Sequence, residues 1–210
     1  MPAAMSTRDR LLDTAERLFA AEGVDRASLR RITAEAGVNL ASVNYHFGSK
    51  LELVRAVFSR RVGPMNAERL ALLDAVERAA GEGPAPLGAI LHAFLAPALS
   101  LGSAEGREFF VLIARAHASP SDEMQRAFLG QFEEVAARFG GALSRALPDL
   151  EREELLWRLH FTVGALCHTV LNTHLLTMLS QGLCTADDEN QVLTRLVDYA
   201  QAGLRSGQAS

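Results

Sequence analysis

Lysine is almost missing from this chain, and tyrosine, tryptophan and cysteine are scarce. Lys50 is a single lysine among 21 basic residues, and 210 residues hold one tryptophan, two tyrosines and two cysteines. Cys167 and Cys184 lie 17 apart, in neither a disulfide framework nor a metal or redox spacing, and are expected as reduced thiols of a cytoplasmic protein. No run of 18 apolar residues offers a membrane span, and the first residues lack the apolar core of a signal peptide. β-branched residues are few beside alanine and leucine, which excludes a sheet-rich class and predicts an all-α protein. The chain has no phosphate loop, no nucleophile elbow and no suggestive pair of carboxylates, so an enzyme is not expected. No cofactor is expected, and no metal either, because His168 and His174, six apart, point to different faces of a helix and no His/Cys cluster has ligand spacing.

What the chain does have is apolar content, 49% of its residues, enough for a sizeable core in one domain or two small ones. Its net charge of −4 argues against a protein coated in nucleic acid, but that charge is uneven. Residues 1–62 carry 10 basic and 7 acidic side chains, a net +3, and residues 63–210 carry 11 and 18, a net −7. A mildly basic head on an acidic body suits a protein that offers one end to DNA.

The stretch from Ser28 to Lys50, SLRRITAEAGVNLASVNYHFGSK, gives that head a form. Ser28 can cap a short helix, Ile32 and Ala36 share one face of it, and Gly37 suits the left-handed turn that ends it. Asn39 is a good cap for a second helix, in which Leu40, Val43 and Phe47 form a stripe predicted to be buried. Its opposite face offers Ala41, Ser42, Asn44 and Tyr45, small or hydrogen-bonding groups suited to a major groove. Gly48 stops this helix, and Ser49 with Glu52 has the spacing of a capping box for the next. Lys50 falls where a cation gains nothing from the helix dipole, and contact with a nearby phosphate explains its place better than a solvated surface does.

The motif Tyr45-His46-Phe47-Gly48-Ser49-Lys50 resembles the close of the DNA-binding domain of the TetR family of bacterial repressors, over about residues 8–60. The resemblance implies an all-α fold with an N-terminal three-helix helix-turn-helix domain, residues 1–50, and a larger helical effector-binding and dimerisation domain, residues 51–210. It implies DNA contacts from Asn39, Ser42, Tyr45, His46 and Lys50, supported by Ser28 and Arg30, and Ala41 can touch a thymine methyl. Family members commonly carry Tyr where this chain has Asn44, which can bond a phosphate or make a paired contact to adenine. It further implies a homodimer through residues 151–181 and 186–204, and a single recognition helix does read too few bases.

Elsewhere the pattern predicts a first helix over 7–22 and a fourth from Leu51 that Gly63-Pro64 breaks or kinks. After the loop Gly81–Pro86 come a helix from Leu87 to Leu101 interrupted by Pro97, an apolar helix over 105–118, and one capped by Ser121 that reaches about Leu147. Residues 150–181 can be one long helix, apolar enough over 156–179 that something must cover it, and Thr185 is expected to cap the last.

Val57-Phe58, Gly63-Pro64, Glu68-Arg69 and the run Leu156 to Phe161 resemble the PsrA-type subgroup, which includes regulators responsive to long-chain fatty acids. That resemblance implies an apolar tunnel with a polar end. Phe94, Phe109, Phe110, Ile113, Phe128, Phe132, Phe161 and Leu166 are candidates to line it, and each is equally an ordinary core residue. Arg115 and His117 interrupt one apolar run, and His160, His168, Asn172 and His174 interrupt another. A carboxylate ligand can pair with Arg115 or a protonated histidine, and Arg115 can equally bond an acid of the protein. His168 and Asn172, four apart, can bond each other or cross the dimer axis. The expected function is a ligand-responsive repressor that binds a near-palindromic operator as a dimer and is released by a small apolar effector, such as a fatty acid or acyl-CoA. The alternative is an architectural or effector-independent DNA-binding protein with the same head.

Overall fold

The computed structural model describes residues 5–100 and 121–207. Among them every element is helical: α1 Thr7–Glu22, α2 Leu29–Glu35, α3 Leu40–Phe47, α4 Lys50–Ala80, α5 Leu87–Ser100, α6 Asp122–Leu129, α7 Glu133–Ala146, α8 Arg152–Leu179 and α9 Glu189–Arg205. The all-α expectation is met. The helix expected over 105–118 lies outside the described residues. Two compact units divide the chain, one from residues 1–64 and 108–133, the other from 65–107 and 134–210.

In the first unit α1 supplies one side of the core. Leu11, Ala15, Leu18 and Phe19 recur at three- and four-residue spacing and are all but fully buried. Ile32 of α2, Val43 of α3 and Leu53, Val57 and Phe58 of α4 are each 0% exposed. Burying a side chain of this size stabilises by about 1.5–3 kcal/mol, so these few residues hold the three short elements together. Phe128 of α6 joins the same unit, its ring 5.1 Å edge-on from Phe58. Polar clamps add direction to this packing. Glu16, 5% exposed, accepts from Arg60 at 2.6 Å and Arg61 at 2.9 Å and so fixes α1 to α4. Arg31 pairs with Glu22 and, at 2.8 Å, with Glu35, which fastens α2 to the end of α1.

In the second unit α9 packs on α5 and α8. Leu193, Leu196, Ala200 and Leu204 form its buried stripe. Arg158 of α8 reaches the last turn of α9, where one Nη donates to the carbonyls of Leu204 and Ser206 at 2.9 and 2.8 Å. A cation at these unpaired carbonyls is favoured by the helix dipole.

Several boundaries differ from expectation. Pro64 does not break α4, which continues to Ala80, although the division between the two units falls just after it. Pro97 likewise lies inside an unbroken α5, where its ring is buried. Proline removes one hydrogen bond from a helix, and packing of the flanking turns outweighs that loss here. The helix from Ser121 to Leu147 is in fact two, α6 and α7, joined by a tight 3-10 turn at Gly130–Phe132. Helix α8 spans Arg152–Leu179 but departs from helical geometry at Asn172, φ −130° and ψ 16°. Asp188, not Thr185, caps α9, accepting from the amides of Asn190 and Gln191. The cap must sit next to the first helical residue, and Thr185 is three residues too early.

Candidate nucleic-acid interface

The turn between α2 and α3, residues 36–39, is closed by two backbone bonds. Gly37, φ +64°, donates to the Ala34 carbonyl at 3.2 Å, and Val38 donates to the Thr33 carbonyl at 2.9 Å. This pair of bonds closes a helix with a left-handed residue, a conformation glycine adopts without steric cost. Ser28 caps α2, its hydroxyl accepting the amide of Arg31 at 3.2 Å. Asn39 caps α3, its Oδ1 accepting the amide and the hydroxyl of Ser42. Gly48, φ +77°, ends α3, and the Ser49 hydroxyl accepts the Glu52 amide at 3.1 Å to start α4.

The eight residues of α3 divide cleanly by face. Val43 is 0% exposed and Tyr45 is 86% exposed. Ala41 and Asn44 are exposed beside Tyr45, while Ser42 and His46 are half-buried. The His46 ring stands edge-on to Tyr45, 5.0 Å between centroids, and limits where the tyrosine can swing. Ser28 and Arg30 are exposed on α2. Only part of the expected buried stripe is buried. Leu40 is 43% exposed, because it opens the helix beyond the packing of α1 and α2, and Phe47 is half-buried. The Arg8 guanidinium lies 5.5 Å from the Phe47 ring centre, a cation–π contact no local pattern announces because the two are 39 residues apart.

Lys50 already has a neighbour within the protein. Its Nζ donates to the Asp25 carbonyl at 3.4 Å, a long and weak bond. Burial pulls its ammonium below the ordinary lysine value, with the Asp25 carboxylate acting the other way.

The residues expected to meet a ligand fall in different places. Phe109, Phe110, Ile113, Arg115 and His117 lie outside the described residues. Phe128 and Phe132 belong to the first unit, their rings 5.2 Å apart. Phe94, in the second unit, stands 5.2 Å from Phe139. Phe161 is 61% exposed and stacks on Trp157, 5.9 Å away. His168 and Asn172 do bond each other, Nδ1 to Nδ2 at 3.4 Å, at the point where α8 loses its helical geometry. Both line an open concavity of about 570 Å³ between α8 and α9, with Leu176, Cys184, Arg195 and Tyr199. One face of the stretch 156–179 is bare within one chain, where Trp157, Phe161, Leu176 and Leu179 are all more than half exposed, while Leu166 and Val170 are buried. Among the described residues no cluster of ligating side chains could hold a metal, and no helix is long and apolar enough to cross a membrane.

Two short capped helices around a left-handed glycine, with a polar face on the second, define a helix-turn-helix protein. Comparison with known proteins agrees. The family described as "Bacterial regulatory proteins, tetR family" matches residues 11–57, and "Tetracyclin repressor-like, C-terminal domain" matches residues 92–203. The chain belongs to the TetR family of bacterial regulatory proteins. It is 40% identical over 65 residues to the HTH-type transcriptional regulator TtgW of Pseudomonas putida, a match covering 31% of this chain and 48% of TtgW. It is 30% identical over 105 residues to the HTH-type transcriptional repressor BepR of Brucella suis, covering 50% of this chain and 47% of that one. The chain thus spans under half the length of these relatives. The fold is similar over 99% of both chains to the fatty acid degradation regulator FadR of Bacillus halodurans, with a TM-score of 0.64 at 13% identity.

Proposed function

We propose that this protein is a repressor that grips a near-palindromic operator as a homodimer and releases it when a small apolar effector occupies the helical body. The observation that carries this reading is the division of α3, with Val43 fully buried and Tyr45 86% exposed on opposite faces of one short helix. On this reading residues 1–50 form the DNA-binding domain and 51–210 the effector and dimer domain. Ala41, Asn44 and Tyr45 meet base edges, while His46, Lys50, Ser28 and Arg30 meet phosphates and set the register. Asn39 and Ser42 hold the start of α3 where the backbone approaches the DNA. Lys50 needs only to leave a weak carbonyl bond to reach a phosphate.

The bare apolar face of α8 supports dimerisation through residues 151–181 and 186–204. Two recognition helices then sit about 34–36 Å apart, one turn of the duplex. The PsrA-type likeness of the sequence favours a fatty acid or acyl-CoA as effector of a protein that works in the cytoplasm. Release requires the effector to bind one of two conformations better than the other, since tight binding to both shifts nothing.

The test is selection of binding sites from a random duplex library with the full chain, followed by fluorescence anisotropy on the enriched sequence. A two-fold symmetric site with half-sites about one turn apart is expected. Tyr45→Ala should weaken binding more than tenfold with the melting temperature unchanged. A library that enriches nothing at low salt refutes the reading.

A further inference from the structure

Arg69, on α4, is 3% exposed, the most buried charged side chain among the described residues. Its Nε donates to the Phe94 carbonyl at 2.8 Å, in the turn of α5 just before Pro97, and one Nη donates to Asn66 Oδ1 at 3.3 Å. The guanidinium lies 4.4 Å from the Phe94 ring centre. Both acceptors are neutral, and a guanidinium has five N–H groups to satisfy. Among the described residues no carboxylate pairs with it.

Charge this deep in a protein is ordinarily neutralised, because desolvation of an unpaired ion is costly. The same fold does so elsewhere: the buried carboxylate of Glu16 is shared by Arg60 and Arg61. Among the described residues the one titratable group acting on Arg69 is the Cys167 thiol. Burial pushes that thiol above its ordinary value, so at neutral pH it is uncharged and neutralises nothing. Burial also lowers Arg69 to about 10, which still leaves it cationic. Three buried apolar side chains lie within a turn of it or of Phe94: Leu73 one turn along α4, and Ile90 and Leu91 one turn before Phe94.

We propose that Arg69 is the anion-binding residue of the effector site, and that the effector is a monocarboxylate on an apolar body. This rests on the effector-responsive reading above and names the chemistry of its ligand. One negative charge matches one buried guanidinium, where a phosphate dianion would bring surplus charge into a dry site. A carboxylate can take two parallel N–H bonds from a guanidinium, a geometry in which arginine is not replaced by lysine. The Phe94 ring and carbonyl hold the guanidinium in place before the ligand arrives.

The test is thermal shift on the full chain with octanoate, laurate and phenylacetate, each against its methyl ester, all below micellar concentration. At least one acid should raise the melting temperature in a concentration-dependent way, with an affinity at least tenfold above its ester. Arg69→Gln and Arg69→Lys should each bring acid and ester to within about threefold. Equal stabilisation by acid and ester in the wild type overturns the proposal, as does no stabilisation by any acid, or undiminished acid preference in Arg69→Gln. Should the variants fail to fold, the wild-type acid–ester comparison decides alone. Anisotropy on the selected duplex separates the two readings. DNA binding with inert acids leaves the regulator standing and removes the Arg69 site, whereas failure to bind DNA removes the regulator.

Discussion

Asn39 Oδ1 accepts the backbone amide of Ser42 at 2.9 Å and its hydroxyl at 3.0 Å. Both residues are proposed to lie at the DNA, yet within the protein they are already spent on starting α3. Their contribution to DNA binding is therefore one of placement. Aspartate caps a helix as well as asparagine does, but it puts a negative charge where phosphates approach. Asn39→Asp should leave stability within about 0.5 kcal/mol of the wild type while weakening binding to the selected duplex by more than tenfold. Asn39→Ala should instead lower stability by about 1 kcal/mol. Thermal melts beside anisotropy titrations check both, and an Asn39→Asp protein that held DNA as tightly as the wild type would take this position out of the interface.

Glu16 is the one acid that ties α1 to two arginines of α4. Glu16→Ala leaves Arg61 without its partner, while Arg60 keeps Asp13. Charged hydrogen bonds of this kind contribute about 1.5–3 kcal/mol, reduced here because both arginines are partly solvated. A loss of about 1–2 kcal/mol is expected, with the urea m-value unchanged. Glu16→Gln keeps the shape and one acceptor and should fall between. A Glu16→Ala protein as stable as the wild type would mean that apolar packing alone holds α1 in place.

Glu35 links α2 to α1 through Arg17 and also pairs with Arg31 of its own helix. The hydrogen bond from Arg17, then that from Arg31, holds its carboxyl below the ordinary value of 4.5. A carboxyl depressed in the folded state adds stability that is fully present above its unfolded value. That stability is lost as pH falls below about 4.5 and through the folded value. Hydrogen exchange of the α2 amides should therefore quicken below that pH in the wild type. In Glu35→Gln the quickening should be weaker. Identical profiles for the two proteins would show that other groups set the acid limit of this domain.

The recognition helix was legible in the sequence almost residue for residue, because its limits are local chemistry. Asn39 caps, Gly37 and Gly48 take positive φ, and nothing distant decides them. Where distant packing decides, the local signal does not hold. Pro64 and Pro97 are strong local breakers, overruled by helices held on both sides. Thr185 and Asp188 are both good caps, and the loop chooses between them by bonding the Cys184 amide to Ser180 Oγ at 2.9 Å. Arg69 carried no local signal at all. It stood beside Glu68 as one more helical charge, and its burial comes from α5, 25 residues away. Arg115 and the histidines of α8 are more conspicuous in the sequence, because their neighbours there are apolar.

The exposed face of α8 sets the last prediction. Trp157, Phe161, Gly164, His168 and Leu175 recur every three to seven residues along it, and each is exposed. A Cβ added to Gly164 would meet nothing within 4 Å in the single chain. If the last two helices pair with a second copy, this glycine marks where the helices come closest. Phe161→Glu then places a charge in an apolar interface, and Gly164→Leu places bulk there, while neither disturbs the core of one chain. Both should sediment as monomers at micromolar concentration with unchanged helical circular dichroism. Both should also lose affinity for a two-half-site duplex by at least a hundredfold, with little change on a single half-site, because linked binding multiplies the strength of two weak contacts. Dimers that survive both substitutions would place the interface on some other surface.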